Sequence, residues 1–220
     1  MPEDIIVIGA GGFGRETLDV IEAINAAAVE PVWNVVGVVD DGPAEIQVER
    51  LRARGIPLLG GLEELRKQGH GCRYVIGIGS PSVRARIAGT VDPWGLRAAT
   101  LVHPAAVVGT RTELAPGTVV CGGVQLSTNL RLGAHVHVNP AAIIGHDSIL
   151  EDFVSINPGA IISGEVRVRR ETLIGAGATV LQGLEVGEGA VVGAAACVTK
   201  NVGARATVTG IPARGIEAGS

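Results

Sequence analysis

Chemistry in this chain of 220 residues has few places to reside. Four of its five histidines, His103, His135, His137 and His146, fall between residues 103 and 146. His146 stands directly before an acid, in Ile144-Gly145-His146-Asp147-Ser148-Ile149. An imidazole titrates near neutral pH, so one with a carboxylate beside it suits a general base. The same Asp147 also reads as an ordinary turn residue. His135 and His137 point different ways along one strand, as solvated or stacked side chains, and His103, before a proline, reads as structural. Cys72, Cys121 and Cys197 are odd in number and scattered without metal-ligand spacing, which fits reduced thiols and no metal.

A second locus lies near the N-terminus. Gly9-Ala10-Gly11-Gly12-Phe13-Gly14 fits G-x-G-x-x-G between an apolar run and a helix. Such a loop lets backbone N–H groups approach a phosphate at the helix N-terminus. Asp40 and Asp41 close the next apolar run, where a carboxylate can take ribose hydroxyls or a base edge. Three readings stay open: NAD, a single nucleotide such as a nucleotide-linked sugar, or glycines that only let the helix pack closely on the sheet. About four strands fit before the second half begins, too few for a second mononucleotide half. The single nucleotide fits better.

The elements that must position these residues differ between the two halves. Residues 1–101 read as a Rossmann-like α/β half domain. Its strands are Ile5–Ile8, Val35–Val39, Tyr74–Ile78 and Arg97–Leu101. Leu18, Ile21, Ile24 and Ala28 give the first helix its apolar face, and short helices follow at Leu62–Lys67 and Ser82–Ile87. From Gly42 to Gly71 the chain is punctuated by Gly and Pro.

Residues 102–220 obey a different ruler. Stepping by six from Val102 to Val198 meets only Val, Leu or Ile. A second small or branched set, four residues further on, runs from Ala106 to Val202. A period of six fits neither a helix nor a hairpin array, and the strand alternation of a β-sandwich is missing. It marks a hexapeptide β-helix, in which three hexads close one triangular coil. Coils stack roughly 4.8 Å apart. The first residue of each hexad faces a narrow prism that rejects large rings, and the chain is only 2% aromatic. The third residue projects outward at a corner, and His146 holds that place. One coil above it is Gly164, so Thr128, His146, Gly164 and Gln182 share an edge. The Gly164 N–H stands beside the candidate base, able to hold a thioester oxygen while the base takes a proton.

Composition narrows the classes further. A net charge of −4 argues against nucleic acid or an anionic membrane as partner. No apolar run is long enough for a membrane span, and the acidic Met1-Pro2-Glu3-Asp4 start does not read as a signal peptide. A cytoplasmic protein is expected.

The hexad ladder, the Gly9–Gly14 loop, Val39-Asp40-Asp41, Ile78-Gly79-Ser80, Leu101-Val102-His103-Pro104 and Ile144-Gly145-His146-Asp147 together resemble nucleotide-sugar acetyltransferases. That group contains the bacillosamine-pathway and perosamine N-acetyltransferases, alongside sialic acid O-acetyltransferase-like proteins. Gly210-Ile211-Pro212-Ala213-Arg214 resembles the C-terminal signature of hexapeptide acyltransferases. The resemblance covers nearly the whole chain. It implies a left-handed parallel β-helix, a homotrimer, and acetyl-CoA as co-substrate in the groove between adjacent prisms. His146 would be the base and Asp147 its acidic neighbour. Gly164 would serve the thioester carbonyl, and Ala176 and Ala194 the pantetheine arm. Gly11, Gly12, Phe13, Asp40, Asp41 and Gly79 match the nucleotide-sugar site. Phe13 and Ser155 (the latter near the thioester) stand where members of the group carry histidine.

The expected activity is N-acetylation of a nucleotide-linked 4-amino-4,6-dideoxy sugar, with O-acetylation of a sugar hydroxyl as the alternative. A carbonic anhydrase branch shares this β-helix and binds zinc, but its histidine pattern is not that of His135, His137 and His146. A non-catalytic sugar-nucleotide binder would have no use for the base-and-glycine stack.

Overall fold

The computed structural model describes residues 1–68 and 71–216, in two compact units, the first covering Met1–Gly79 and Val83–Pro104. No helix among them is long and apolar enough to cross a membrane.

In the first unit, Glu3–Ile8 (β1) is the central strand, with Ile5 through Ile8 at most 2% exposed. Parallel strands flank it in the order β3-β2-β1-β4-β5. These are Trp33–Val39 (β2), Leu58–Gly60 (β3), Arg73–Ile76 (β4) and Arg97–Ala98 (β5). Helices Gly12–Ala27 (α1), Glu45–Ala53 (α2), Leu62–Gln68 (α3) and Pro81–Val91 (α4) connect them. The described sheet therefore has five strands, not four. The stretch after Gly42 holds α2 and β3, which the sequence reading passed over. Only Leu51 of α2 is buried, and β3 is three residues long, so neither leaves a periodic trace. On α1, Leu18 and Ile21 are buried as expected, together with Thr17 and Val20, while Ala28 lies past the helix end in extended conformation.

The second unit is a parallel β-helix of two-residue strands. Its three faces are here called I, II and III. Face I carries Val119–Val120, His137–Val138, Ser155–Ile156, Leu173–Ile174 and Val191–Val192. Face II runs from Val107–Val108 through Gln125–Leu126, Ile143–Ile144, Ile161–Ile162 and Thr179–Val180 to Cys197–Val198. Face III carries Glu113–Leu114, Arg131–Leu132, Ile149–Leu150, Arg167–Val168 and Glu185–Val186. Each strand pairs with the strand one coil away, as Leu126 does with Ile144 and Ile144 with Ile162.

From Val120 to Val198 every ladder residue is at most 2% exposed. The first coil departs from the expectation of a uniformly buried ladder. Val108 is 43% exposed, because face II has no strand one coil before it to cover that end of the prism. The fourth residue of each hexad from Arg111 to Ala195 turns the corner in the left-handed region, with φ between 54° and 79°. For a residue other than glycine this costs about 1–2 kcal/mol. Arg111, Ala141, Phe153 and Glu165 bear that cost because the strands on either side are already fixed by ladder bonds.

The repeat also slips once. Val202 was expected in the second buried set, but it bridges to Val186 and so takes a first-position place. Val191 likewise pairs with Thr207, leaving the last coil two residues short of the eighteen that separate Leu173 from Val191. The strand Thr207–Thr209 then pairs antiparallel with Arg214–Gly215.

Two neighbours in sequence test which residues hold the prism. Ile162 points inward and is fully buried, whereas Ile161 points out from face II. Ile162→Ala should cost about 2–5 kcal/mol in denaturant unfolding. Ile161→Ala should cost much less in the same measurement.

Candidate active site

Faces II and III meet at the corner that carries His146. Ile143–Ile144 ends there, Gly145 N–H bonds to the Ile162 carbonyl (2.7 Å), and the chain turns at Asp147 with φ 60°. The turn throws the imidazole outward, leaving its side chain 57% exposed. His146 Nδ1 lies 2.7 Å from Asp147 Oδ2. The other carboxylate oxygen, Oδ1, accepts a 2.6 Å hydrogen bond from Asn129 Nδ2, one coil below. The Asn129 amide and then His146 hold the Asp147 carboxyl below its ordinary value. A carboxylate that stays ionised keeps the proton on Nδ1, and Nε2 is then the nitrogen that can accept one.

Gly164 completes this corner from the coil above. A Cβ there would lie 2.6 Å from both Cε1 and Nε2 of His146, so the ring occupies the space that a side chain would fill. The ladder bonds on either side, Ser163 N–H to Val180 and Glu165 N–H to His146, pass over the Gly164 N–H.

Ala176 and Ala194 lie on a different corner, between faces I and II, and both are exposed. Their N–H groups are bypassed in the same way. Gly175 bonds to Val192 and Gly177 to Pro158 around Ala176, and Gly193 to Val208 and Ala195 to Ala176 around Ala194. Within one chain, face II separates this corner from His146. Ser155 lies half a coil from His146, on face I, and is 1% exposed. The chain therefore brings together His146, Asp147 and Gly164, but not Ser155, Ala176 or Ala194.

His135 and His137 do not converge on this corner. His135 turns the corner between faces III and I with φ 54° and stacks on Phe153 at 5.4 Å, and Arg170 covers the outer side of Phe153. His137 is fully buried on face I rather than solvated. Among the described residues, no group of three His, Cys, Asp or Glu could hold a metal ion.

The glycine loop of the first unit divides by role. A Cβ on Gly14 would overlap the Gly9 carbonyl oxygen, so this glycine is there for packing of α1 on the sheet. Around Gly12 and Gly79 nothing lies within 4 Å of such a Cβ, and both residues are exposed. Gly11 is the N-cap of α1, whose first turn carries no acid and no side-chain cap. The first turn of a helix carries the positive end of its dipole, which favours an anion. Phe13 follows, half-buried, in the same turn.

Asp40 and Asp41 have structural partners that the sequence did not show. Asp40 accepts from the N–H of Ala10 (2.8 Å) and of Gly42 (3.0 Å), tying the glycine loop to the end of β2. Asp41 accepts from Leu62 N–H (2.8 Å) and so caps α3. Two arginines missed in the sequence also shape the loops. Arg15 donates to the Ala10 carbonyl (3.0 Å). Arg84, fully buried, donates to the carbonyls of Ile78 (2.8 Å) and Gly79 (3.1 Å) and fixes the bend after β4. Burial lowers its guanidinium to about 9, still protonated at neutral pH. No spacing rule points to either arginine.

The division among the glycines is testable by calorimetry. Gly14→Ala should lower stability by about 1–3 kcal/mol or more through overpacking. Gly12→Ala should melt with the wild-type chain.

Comparison with known proteins adds to this geometry. Residues 4–91 match the family model of the PglD N-terminal domain. Over 149 residues the chain is 30% identical to GDP-perosamine N-acetyltransferase of Escherichia coli O157:H7, a match spanning 68% of this chain and 65% of that protein. The crystal structure of PerB from Caulobacter crescentus, in complex with CoA and GDP-perosamine, superposes with a TM-score of 0.85 at 26% identity, over 97% of each chain. The acetyltransferase domain of PglB from Neisseria gonorrhoeae, in complex with acetyl coenzyme A, gives 0.80 at 28% identity, over 98% of this chain and 100% of that one. The second unit is thus a left-handed β-helix, following a Rossmann-like parallel sheet in the sequence. From its glycine loop to its last coil, the chain is similar to perosamine and bacillosamine N-acetyltransferases of the hexapeptide-repeat superfamily.

Proposed function

We propose that this chain transfers the acetyl group of acetyl-CoA to the amine of a nucleotide-linked 4-amino-4,6-dideoxy sugar. The observation that carries this reading is the His146 imidazole, exposed at a corner, with Nδ1 committed to Asp147 and the ring against Gly164. The sugar amine attacks the thioester carbonyl carbon, the C–S bond breaks, and His146 Nε2 takes the proton that the nitrogen loses. Asp147 balances the imidazolium formed. The Gly164 N–H holds the carbonyl oxygen as charge develops on it. Ala176 and Ala194 offer their free-standing N–H groups to the amides of the pantetheine arm.

The acceptor's phosphates lie at the N-terminus of α1, on the backbone of Gly11 and Gly12, with Gly79 beside them. Phe13 lies against the sugar or base. Asp40 and Asp41 each keep lone pairs for a hydroxyl or base edge beyond the loop N–H groups they accept. Ser155, in place of a histidine, is buried on face I and leaves the hydrogen bond to the thioester weaker or absent.

We infer a homotrimer from the disposition of the corners. Face II exposes Val107 (56%), Ile143 (42%) and Ile161 (38%), an apolar row. Face III instead presents Glu113, Arg131, Arg167 and Glu185, and is laced with ion pairs. Face II also lies between the His146 corner and the Ala176–Ala194 corner. Three prisms with face II turned to a common axis bring the first corner of one chain to the second corner of the next. Heterologous contacts of this kind close into a ring.

His146→Ala should lower kcat by about 10²- to 10⁴-fold with the fold intact. Wild-type turnover in that variant would remove His146 from the mechanism. For the shared site, His146→Ala chains co-refolded with Ala194→Trp chains should regain activity that neither has alone. A fully active monomer by light scattering would end the trimer reading.

A further inference from the structure

Asp147 is an exposed carboxylate, yet both of its oxygens are held. Oδ2 meets His146 Nδ1 at 2.7 Å, and Oδ1 accepts from Asn129 Nδ2 at 2.6 Å. An exposed aspartate with one partner would turn freely about its side-chain bonds. The second contact fixes it.

Asn129 is well placed for this. It turns the corner one coil below Asp147, and the two residues share nearly the same φ, 58° and 60°, so the side chains leave the corner in parallel. Backbone bonds tie the stack, Asn129 N–H to Thr110 and Asp147 N–H to Thr128. The neighbouring hydroxyl of Thr128 is engaged with Thr110 and does not compete for the carboxylate. The left-handed turn alone does not require asparagine, since Arg111, Ala141, Phe153 and Glu165 make it elsewhere. Charged residues along this corner are Arg111 below Asn129 and Glu165 above Asp147.

We infer that Asn129 is a positioning residue of the acyl-transfer site, which orients Asp147 so that His146 carries its proton on Nδ1 and presents an unprotonated Nε2. The inference rests on the reading of His146 as the base. Asn129 touches neither substrate; it acts through Asp147. The relay is Asn129 Nδ2–H to Asp147 Oδ1, and His146 Nδ1–H to Asp147 Oδ2. Its consequence is that the imidazole is held at one edge by a fixed carboxylate and against Gly164 on the other side.

The test is Asn129→Gly, which keeps the left-handed turn and removes only the amide. Its melting temperature should match the wild type. With acetyl-CoA and a nucleotide-linked amino sugar, kcat should fall by about 10- to 10²-fold, as misalignment of a reacting group does, with both KM values little changed. Histidine-selective ¹⁵N NMR of the unliganded protein should show His146 as the Nδ1–H form in the wild type and as mixed forms in Asn129→Gly. The ¹³C titration of Asp147 should move upward in that variant, since the lost donor is the larger cause of its lowered value. Asn129→Asp, the same shape with the donor removed on ionisation, should reproduce the loss above the acid range. Unchanged kcat together with an unchanged His146 tautomer in Asn129→Gly would overturn the inference. A tautomer change in a protein that transfers no acetyl group would support the positioning role and refute the proposed function instead.

Discussion

Everything in the second unit depends on one constraint, that each coil must match the next at the same three inward positions. The prism is too narrow to bury anything but aliphatic side chains in register, and a slip by one residue would turn every ladder residue outward. That demand fixes strand length and corner angle together. It also holds residues such as Phe153 and Ala195 in left-handed turns that isolated chains avoid. The active corner inherits this rigidity. His146, Asn129, Asp147 and Gly164 come from three successive coils, and their spacing is the coil spacing. A loop could offer the same residue types, but not with positions set by so many ladder bonds.

The first unit solves a different problem, holding a loop of bare backbone at a helix N-terminus without covering it. Gly14 and Gly77 bring α1 against the sheet, since a Cβ on Gly77 would meet Gly14 Cα at 2.6 Å. Asp40, Arg15 and Arg84 then tie loop N–H and carbonyl groups from the sides. These polar residues hold the loop from the sides, while Gly11 and Gly12 stand at the start of α1 without a side-chain cap.

The sequence was most legible where a single physical demand repeats. Seventeen aliphatics at a spacing of six admit one architecture, and the outward place of His146 and its pairing with Gly164 follow from counting. Elements supported by tertiary contacts alone were not legible. Helix α2 buries one residue, and β3 is a short strand whose role is to extend the sheet. Asn129 could have been found, because it stands one coil from Asp147, but an asparagine at a turn is explained locally and does not draw the eye. Asp40 has a second role that its position did not show. A carboxylate at a strand end reads as a ligand contact, and its bond to Ala10 N–H becomes visible only when the loop is folded back over β2. The phase slip at Val202 was hidden because valine satisfies either inward position.

That slip bears on how the molecule ends. A solenoid of identical coils has no internal reason to stop, and its last coil exposes a row of unpaired backbone groups to any other strand. Here the coil after Val186 is two residues short, so a further hexad could not stack in register. The chain then reverses, and Arg214–Gly215 pairs antiparallel against Thr207–Thr209, occupying the edge that another parallel strand would take. The mismatch works as a terminator. It withholds the edge on which end-to-end stacking, the route from a repeat protein to a fibre, would begin.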